Sequence, residues 1–194
     1  MPAFDLTAQL AQTINFECYL GMSDGWSVKN RERFLGTASV DLPKIAYQTQ
    51  KVTGAGIAGE IEVPLLAKLE SLKVKLRWHA LSPEVSYLAR QDPHDIALYG
   101  AINKYDTAKG ILGVMPVRIE FRGLTKVTET GAFKPNEFMD SATEFEIIAL
   151  KITIAGEVAF ELNKLDYIFK VDGEDYVAEE AGALNRNRSE NDEN

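Results

Sequence analysis

The stretch T-G-A-G-I-A-G-E-I-E-V-P, Thr53 to Pro64, decides the fold class. Gly54, Gly56 and Gly59 have the G-x-G-x-x-G spacing that cradles a pyrophosphate in dinucleotide-binding α/β folds. Such a site needs a helix opening on the last glycine, whose first N–H groups converge on the phosphate. Here Ile61 and Val63 alternate with Glu60 and Glu62, which is the period of a strand, and Pro64 would break the first turns of a helix. About 20 residues on, where the ribose-binding acid belongs, the chain reads Arg77-Trp78-His79. The glycines therefore read as a loop between two strands, and no cofactor is expected.

Strand periodicity recurs outward from this loop. In L-K-V-K-L-R-W, Leu72, Val74, Leu76 and Trp78 face one way and Lys73, Lys75 and Arg77 the other. In V-R-I-E-F-R, Val117, Ile119 and Phe121 alternate with Arg118, Glu120 and Arg122. Both patterns belong to half-buried antiparallel strands. The longer run from Thr143 to Ile154 slips phase near Ile147-Ile148, which predicts a bulge or a change of packing partner. Turns are marked at Gly156 and at Asp172-Gly173, the second a hairpin signal. Shorter strands are expected over about 14–20, 36–42, 47–52 and 96–103. One helix is well signalled: Ser82 as N-cap, Pro83 at the first helical position and Glu84 in the first turn, with Asp92-Pro93 as its end. The predicted architecture is one mainly β domain, an antiparallel barrel or sandwich with a single short helix packed on it.

A chain of 194 residues suits one well-buried domain. The expected division is an N-terminal arm at 1–13, a β domain at 14–181 with a projecting loop at about 46–62, and a polar, disordered tail at 182–194. The formal net charge is −8 and the pI near 4.9, which argues against a grip on nucleic acid. Cys18 is the single cysteine, so neither an intrachain disulfide nor a cysteine metal cluster forms, and a reducing cytoplasm suits the chain. The N-terminus lacks the pattern of a signal peptide, and no run reaches the length of a membrane span.

Catalytic chemistry finds little support. His79 and His94 have no partner at metal-ligand spacing, Cys18 sits in a strand-like F-E-C-Y-L, and no serine lies in a G-x-S-x-G turn. The pairs Glu60/Glu62 and Glu144/Glu146 alternate along strands, the pattern of a solvated or interface face, although glycosidase-like carboxylates are decided by separation in space. Trp26 and Trp78 suit core or interface packing more than a ligand pocket. No catalytic or metal residues are expected. Two classes stay open: a small-ligand barrel, and a structural subunit whose function is assembly. Open sheet edges need protection, and head-to-tail pairing of edges between subunits closes small sheets into one large barrel.

Several signatures then fall in one order. S-V-D-L-P-K-I at 39–45 precedes T-G-A-G-I-A-G-E-I-E-V-P, followed by V-R-I-E-F-R-G-L-T-K at 117–126, G-A-F-K-P-N-E at 131–137 and A-L-K-I-T-I-A-G-E at 149–157. L-D-Y-I-F-K-V-D-G-E-D at 165–175 and A-G-A-L at 181–184 complete the series. Together they resemble the major tail tube proteins of contractile-tailed bacteriophages and the related R-type bacteriocins, over about 14–184. The resemblance implies hexameric rings that stack into a hollow tube inside a contractile sheath, a conduit for DNA or ions. It implies further partners: the tail sheath, baseplate and tail-terminator proteins, and a tape-measure protein in the lumen during assembly. DNA would transit without specific binding, and no stable membrane binding is expected. The location implied is the virion tail, after assembly in the host cytoplasm. The type VI secretion tube shares this fold and stays an alternative. By matching position, Lys51, Thr53, Gly54, Gly56, Gly59, Glu60 and Glu62 form the implied ring-stacking loop. Two segments depart from the family pattern: Asp24–Phe34, longer than its usual connection, and the tail beyond Leu184.

Overall fold

The computed structural model describes residues 12–24, 27–36, 39–54, 56, 58–106 and 111–184. The expected arm at 1–13, apart from its last two residues, and the tail from 185 onward lie outside them, as do Ala55 and Ile57 of the glycine loop. In chain order the elements are β1 (Gln12–Asp24), β2 (Ser27–Phe34), β3 (Ser39–Asp41), β4 (Tyr47–Val52), β5 (Ile61–Leu69), β6 (Lys73–Trp78) and α1 (Pro83–Tyr87). Then follow β7 (Pro93–Asp106), β8 (Ile111–Glu129), β9 (Ser141–Ile154), β10 (Glu157–Asn163), β11 (Ile168–Val171), β12 (Glu174–Asp175) and α2 (Ala178–Ala183). The class is the expected one, mainly β and antiparallel.

Ten strands form one sheet along the path β12-β11-β10-β9-β8-β7-β1-β2, with β6 also on β9 and β3 on β6; β4 and β5 form a separate two-stranded ribbon. The branch at β9 explains the phase slip at Ile147-Ile148. The first part of β9 pairs with β6, Lys73 opposite Glu146. Its last part pairs with β10, Asn163 opposite Ala149. Against β8 the register jumps from Ala149 opposite Arg122 to Ile147 opposite Gly123, which leaves Ile148 as the extra residue of a bulge. Phe145 and Ile147 before the bulge and Leu150 after it are all buried, so the extra residue keeps apolar side chains inward across the change of partner. Both outcomes foreseen from the sequence, bulge and partner change, occur at one place.

The core joins β6 to the β7–β8–β9 sheet. Leu72, Val74, Leu76 and Trp78 pack with Ile96, Leu98, Ile119, Phe121, Phe145 and Leu150 in one cluster. The Trp78 indole N–H donates to Thr143 Oγ1 at 3.1 Å, which satisfies the ring's polar atom inside the core. Helix α1 starts where the sequence indicates, with Ser82 Oγ accepting from the Val85 N–H at 3.2 Å and Pro83 opening the helix. It ends at Tyr87, earlier than Asp92-Pro93 suggested, and buries Val85 and Leu88. A second helix, α2, is a difference from the expected single one; it buries Ala181 and carries regular structure past the expected tail boundary at 182. Asp172 and Gly173 have φ of 48° and 83° and close the β11–β12 hairpin, as the Asp-Gly pair indicated.

Candidate functional site

Three features of the surface bear on function: the ribbon, the sheet edges, and the sheet face opposite the core. The ribbon is built around the glycine stretch Thr53 to Pro64. Val52 stands opposite Ile61, Gln50 opposite Val63, and Lys51 opposite Glu62. Because partners in register share a face, Val52, Ile61 and Val63 form an apolar side. Lys51 and Glu62 belong to the other side, where the Lys51 ammonium meets Glu60 at 2.5 Å and Glu62 at 3.9 Å. Every described residue from 47 to 66 is exposed. A Cβ added at Gly54, Gly56 or Gly59 would meet nothing within 4 Å, and Gly56 and Gly59 have φ of 95° and 120°. A strand follows the glycines where a phosphate cradle requires a helix. The base of the ribbon is tied down: the Tyr47 ring meets Phe169 edge-on at 6.1 Å, and Lys68 binds Glu180 of α2 at 2.8 Å.

The edges come from how far the strands reach. Strand β2 pairs only with β1 among the described residues and ends the sheet. At the other side of β7, β8 pairs with β9 from Val117 onward, so residues 111–115 have β7 on one edge and nothing described on the other. The Asp24–Phe34 segment, read from sequence as a lengthened connection, is for the most part this edge strand and the end of its hairpin; Gly25 and Trp26 lie outside the described residues. Beyond the sheet, the β8–β9 loop carries Phe133 at 90% exposure. The loop is pinned at its base: Ala132 N–H donates to the Met139 carbonyl and Met139 N–H to that of His79. A Cβ at Gly131 would lie 1.9 Å from the Met139 oxygen, so only glycine fits there.

The face opposite the core is charged and paired. Asp95 takes the Arg122 guanidinium with both oxygens, at 2.7 and 3.0 Å. Arg118 donates to Glu120 at 2.6 Å and lies over the Tyr99 ring at 5.3 Å. Further along, Lys151 and Lys170 both approach Glu161, at 3.8 and 3.9 Å. In register the row reads Glu120, Lys151, Glu161, Lys170, Asp175 across five strands, alternating in sign. Glu120 and Glu161 are only 3% and 4% exposed. The sequence singled out neither, because this row exists only once the register is known.

The histidines, Cys18 and the paired glutamates sit in structural roles. His94 is buried, with Nε2 3.2 Å from the Arg90 carbonyl, and His79 stacks with Phe138 at 4.2 Å between ring centres. Cys18 is fully buried, and burial pushes its thiol far up from the ordinary range. Glu144 faces Lys73, and Glu146 accepts from Ser71 and Lys164. Among the described residues no group of three or more His, Cys, Asp or Glu could hold a metal ion, and no helix is long and apolar enough to cross a membrane.

An exposed ribbon, strand edges that no described residue pairs, and side chains engaged with one another mark a β protein with the features of a structural subunit. Residues 27–184 match the family of phage tail tube protein FII, and the chain belongs to that family. It is a structural subunit of a phage-type tail tube. No curated protein matches it. Among solved structures, it is similar at 13% identity to a chain of an extracellular contractile injection system, the PVC sheath/tube terminator in the extended state. That alignment covers 72% of this chain and 94% of the other, with a TM-score of 0.46. A chain of the PVC sheath-tube complex in the extended state is similar at 13% identity over 72% and 86%, with a TM-score of 0.41.

Proposed function

We propose that the subunit closes hexameric rings by strand pairing, and that the rings stack into a hollow tube, within a contractile sheath, that conducts DNA or ions. The observation that carries this reading is the pair of free edges. The four strands β2, β1, β7 and the first part of β8 form a sheet with, on each side, an edge that no described residue pairs. Edges on opposite sides cannot pair by a two-fold axis; they pair head to tail, which generates rings when the rotation closes. They are also staggered along the strands, as a barrel of tilted strands requires. Family membership supports six copies, a sheath outside, terminator and baseplate proteins at the ends, and a tape-measure protein inside during assembly. Lys51, Thr53, Gly54, Gly56, Gly59, Glu60 and Glu62 then reach toward the next ring. The arm proposed at 1–13 and the tail proposed at 182–194 flank the body, with β1 starting at Gln12 and α2 ending at Ala183.

Purified protein should form rings or tubes in negative-stain electron micrographs; a strict monomer across a wide concentration range would overturn the reading. The edge gives a sharper arm. The Pro116 carbonyl accepts from Ala155 on the β9 side, so the Pro116 backbone points away from β7. Two residues back, the Val114 N–H and carbonyl share that direction and point to the free edge. Val114→Pro therefore removes an edge donor without touching the β7 ladder. We expect a folded monomer with an almost unchanged melting temperature and no rings.

A further inference from the structure

The sheet that β1, β7 and β8 share has two faces, and one of them packs the core of the subunit. Cys18, Ile96, Leu98, Ile119 and Phe121 point into the core. With the two-residue period, Glu17, Tyr99, Arg118, Glu120, Asp95 and Arg122 belong to the opposite face. If edges merge into a barrel with the bodies outside, this second face lines the channel. It is not simply acidic, for its described side chains include two arginines, Arg118 and Arg122, and a free guanidinium is the side chain best matched to a phosphate.

Neither arginine is presented freely. Arg122 stands directly opposite Asp95 in the β7–β8 register and is held by both carboxylate oxygens. Arg118 is engaged by Glu120, and its guanidinium lies 5.3 Å from the centre of the Tyr99 ring, its own register partner. Glu120 is almost wholly buried beside it. We propose that Asp95 and Glu120 are positioning residues that lock Arg122 and Arg118 of the channel wall, so that a polyanion in transit can be gripped by neither of them. The proposal rests on the tube reading and adds to it the wall residues and their relation to the cargo. The physics is counterion release: each phosphate neutralised by a protein cation adds affinity and salt dependence. Repeated around a ring and along a tube, even weak grips would sum to a strong hold on a long duplex.

The test uses assembled tubes, a short fluorescent duplex DNA as the probe, and nuclease protection to tell channel from outer surface. Wild-type tubes should retain almost no protected DNA. Asp95→Asn and Glu120→Gln, each close to isosteric, should each give tubes that retain on the order of tenfold more protected DNA at low salt, lost steeply as salt rises. Adding Arg122→Gln to the first variant, or Arg118→Gln to the second, should return retention to the wild-type level. That reversal separates a released arginine from a mere loss of negative charge. The two variants are read separately, so misfolding of one leaves the other to decide. Variant tubes that bind no DNA, bind it only unprotected, or keep binding after the arginine is removed would overturn the proposal while leaving the tube reading intact. A wild-type chain that forms no tubes at all would remove both.

Discussion

Glu146 shows how one side chain is held by competing effects. Burial alone would raise its pKa, but a hydrogen bond from the Ser71 hydroxyl at 2.5 Å and the Lys164 ammonium at 3.2 Å outweigh this. Its carboxyl is held below the ordinary value of 4.5. A carboxylate with a depressed folded pKa contributes stability that is present above the unfolded value and lost as pH falls through the folded one. The site joins the β5–β6 connection, β9 and the turn after β10, so its protonation loosens the place where β9 changes partners. Glu146→Gln should therefore make the acid limb of the stability curve shallower. In thermal melts taken from about pH 6 down to about pH 3, the wild type should lose more degrees than the variant. Parallel curves would show that the site does not contribute to acid sensitivity.

The ribbon is the element on which function and fold separate most cleanly. Among the described residues of its tip, the loop glycines have open space around them, and the ion pairs of Lys51 are exposed, a kind that contributes little to stability. Replacing residues 53–60 by Asn-Gly leaves Val52 and Ile61 joined by a favoured two-residue turn. The shortened subunit should melt within a few degrees of the wild type and still close single rings, but should not stack them into tubes. Intact tubes from it would sink the stacking assignment; an unfolded monomer would make the loop part of the core. This element was legible in the sequence because its signals are local: glycines, alternation at Ile61–Val63, and a proline where a helix would start. So were α1, with its cap and proline, and the bulge at Ile147-Ile148. The free edges were not legible, because they depend on where β9 stops against β8. Nor was the row from Glu120 to Asp175, since Glu120 and Lys151 lie far apart in the chain and meet only across the ladder. Helix α2 was hidden by its composition: A-E-E-A-G-A carries a glycine and no cap side chain.

At the scale of the whole molecule, charge opposes the assembly that geometry favours. One chain carries a formal −8, and the proposed ring of six would multiply it. Arg118, Arg122, Lys151 and Lys170 of the sheet face cannot offset this between subunits, because they are already engaged by carboxylates of their own chain. Edge pairing and apolar contacts at the ribbon must therefore outweigh like-charge repulsion, which is long-ranged and screened by salt. Between about 0.01 M and about 1 M salt the Debye length falls from roughly 30 Å to roughly 3 Å, from the scale of a subunit to that of a bond. The concentration at which tubes first appear should therefore fall several-fold as sodium chloride rises across that range, followed by light scattering and sedimentation. Chloride is the appropriate salt, because sulfate strengthens apolar burial by its own exclusion and would confuse the two effects. Tubes that instead dissociate as chloride rises would mean that opposite charges between subunits hold the rings. The contacts to look for would then lie on the sheet edges and ribbon, not on the locked face.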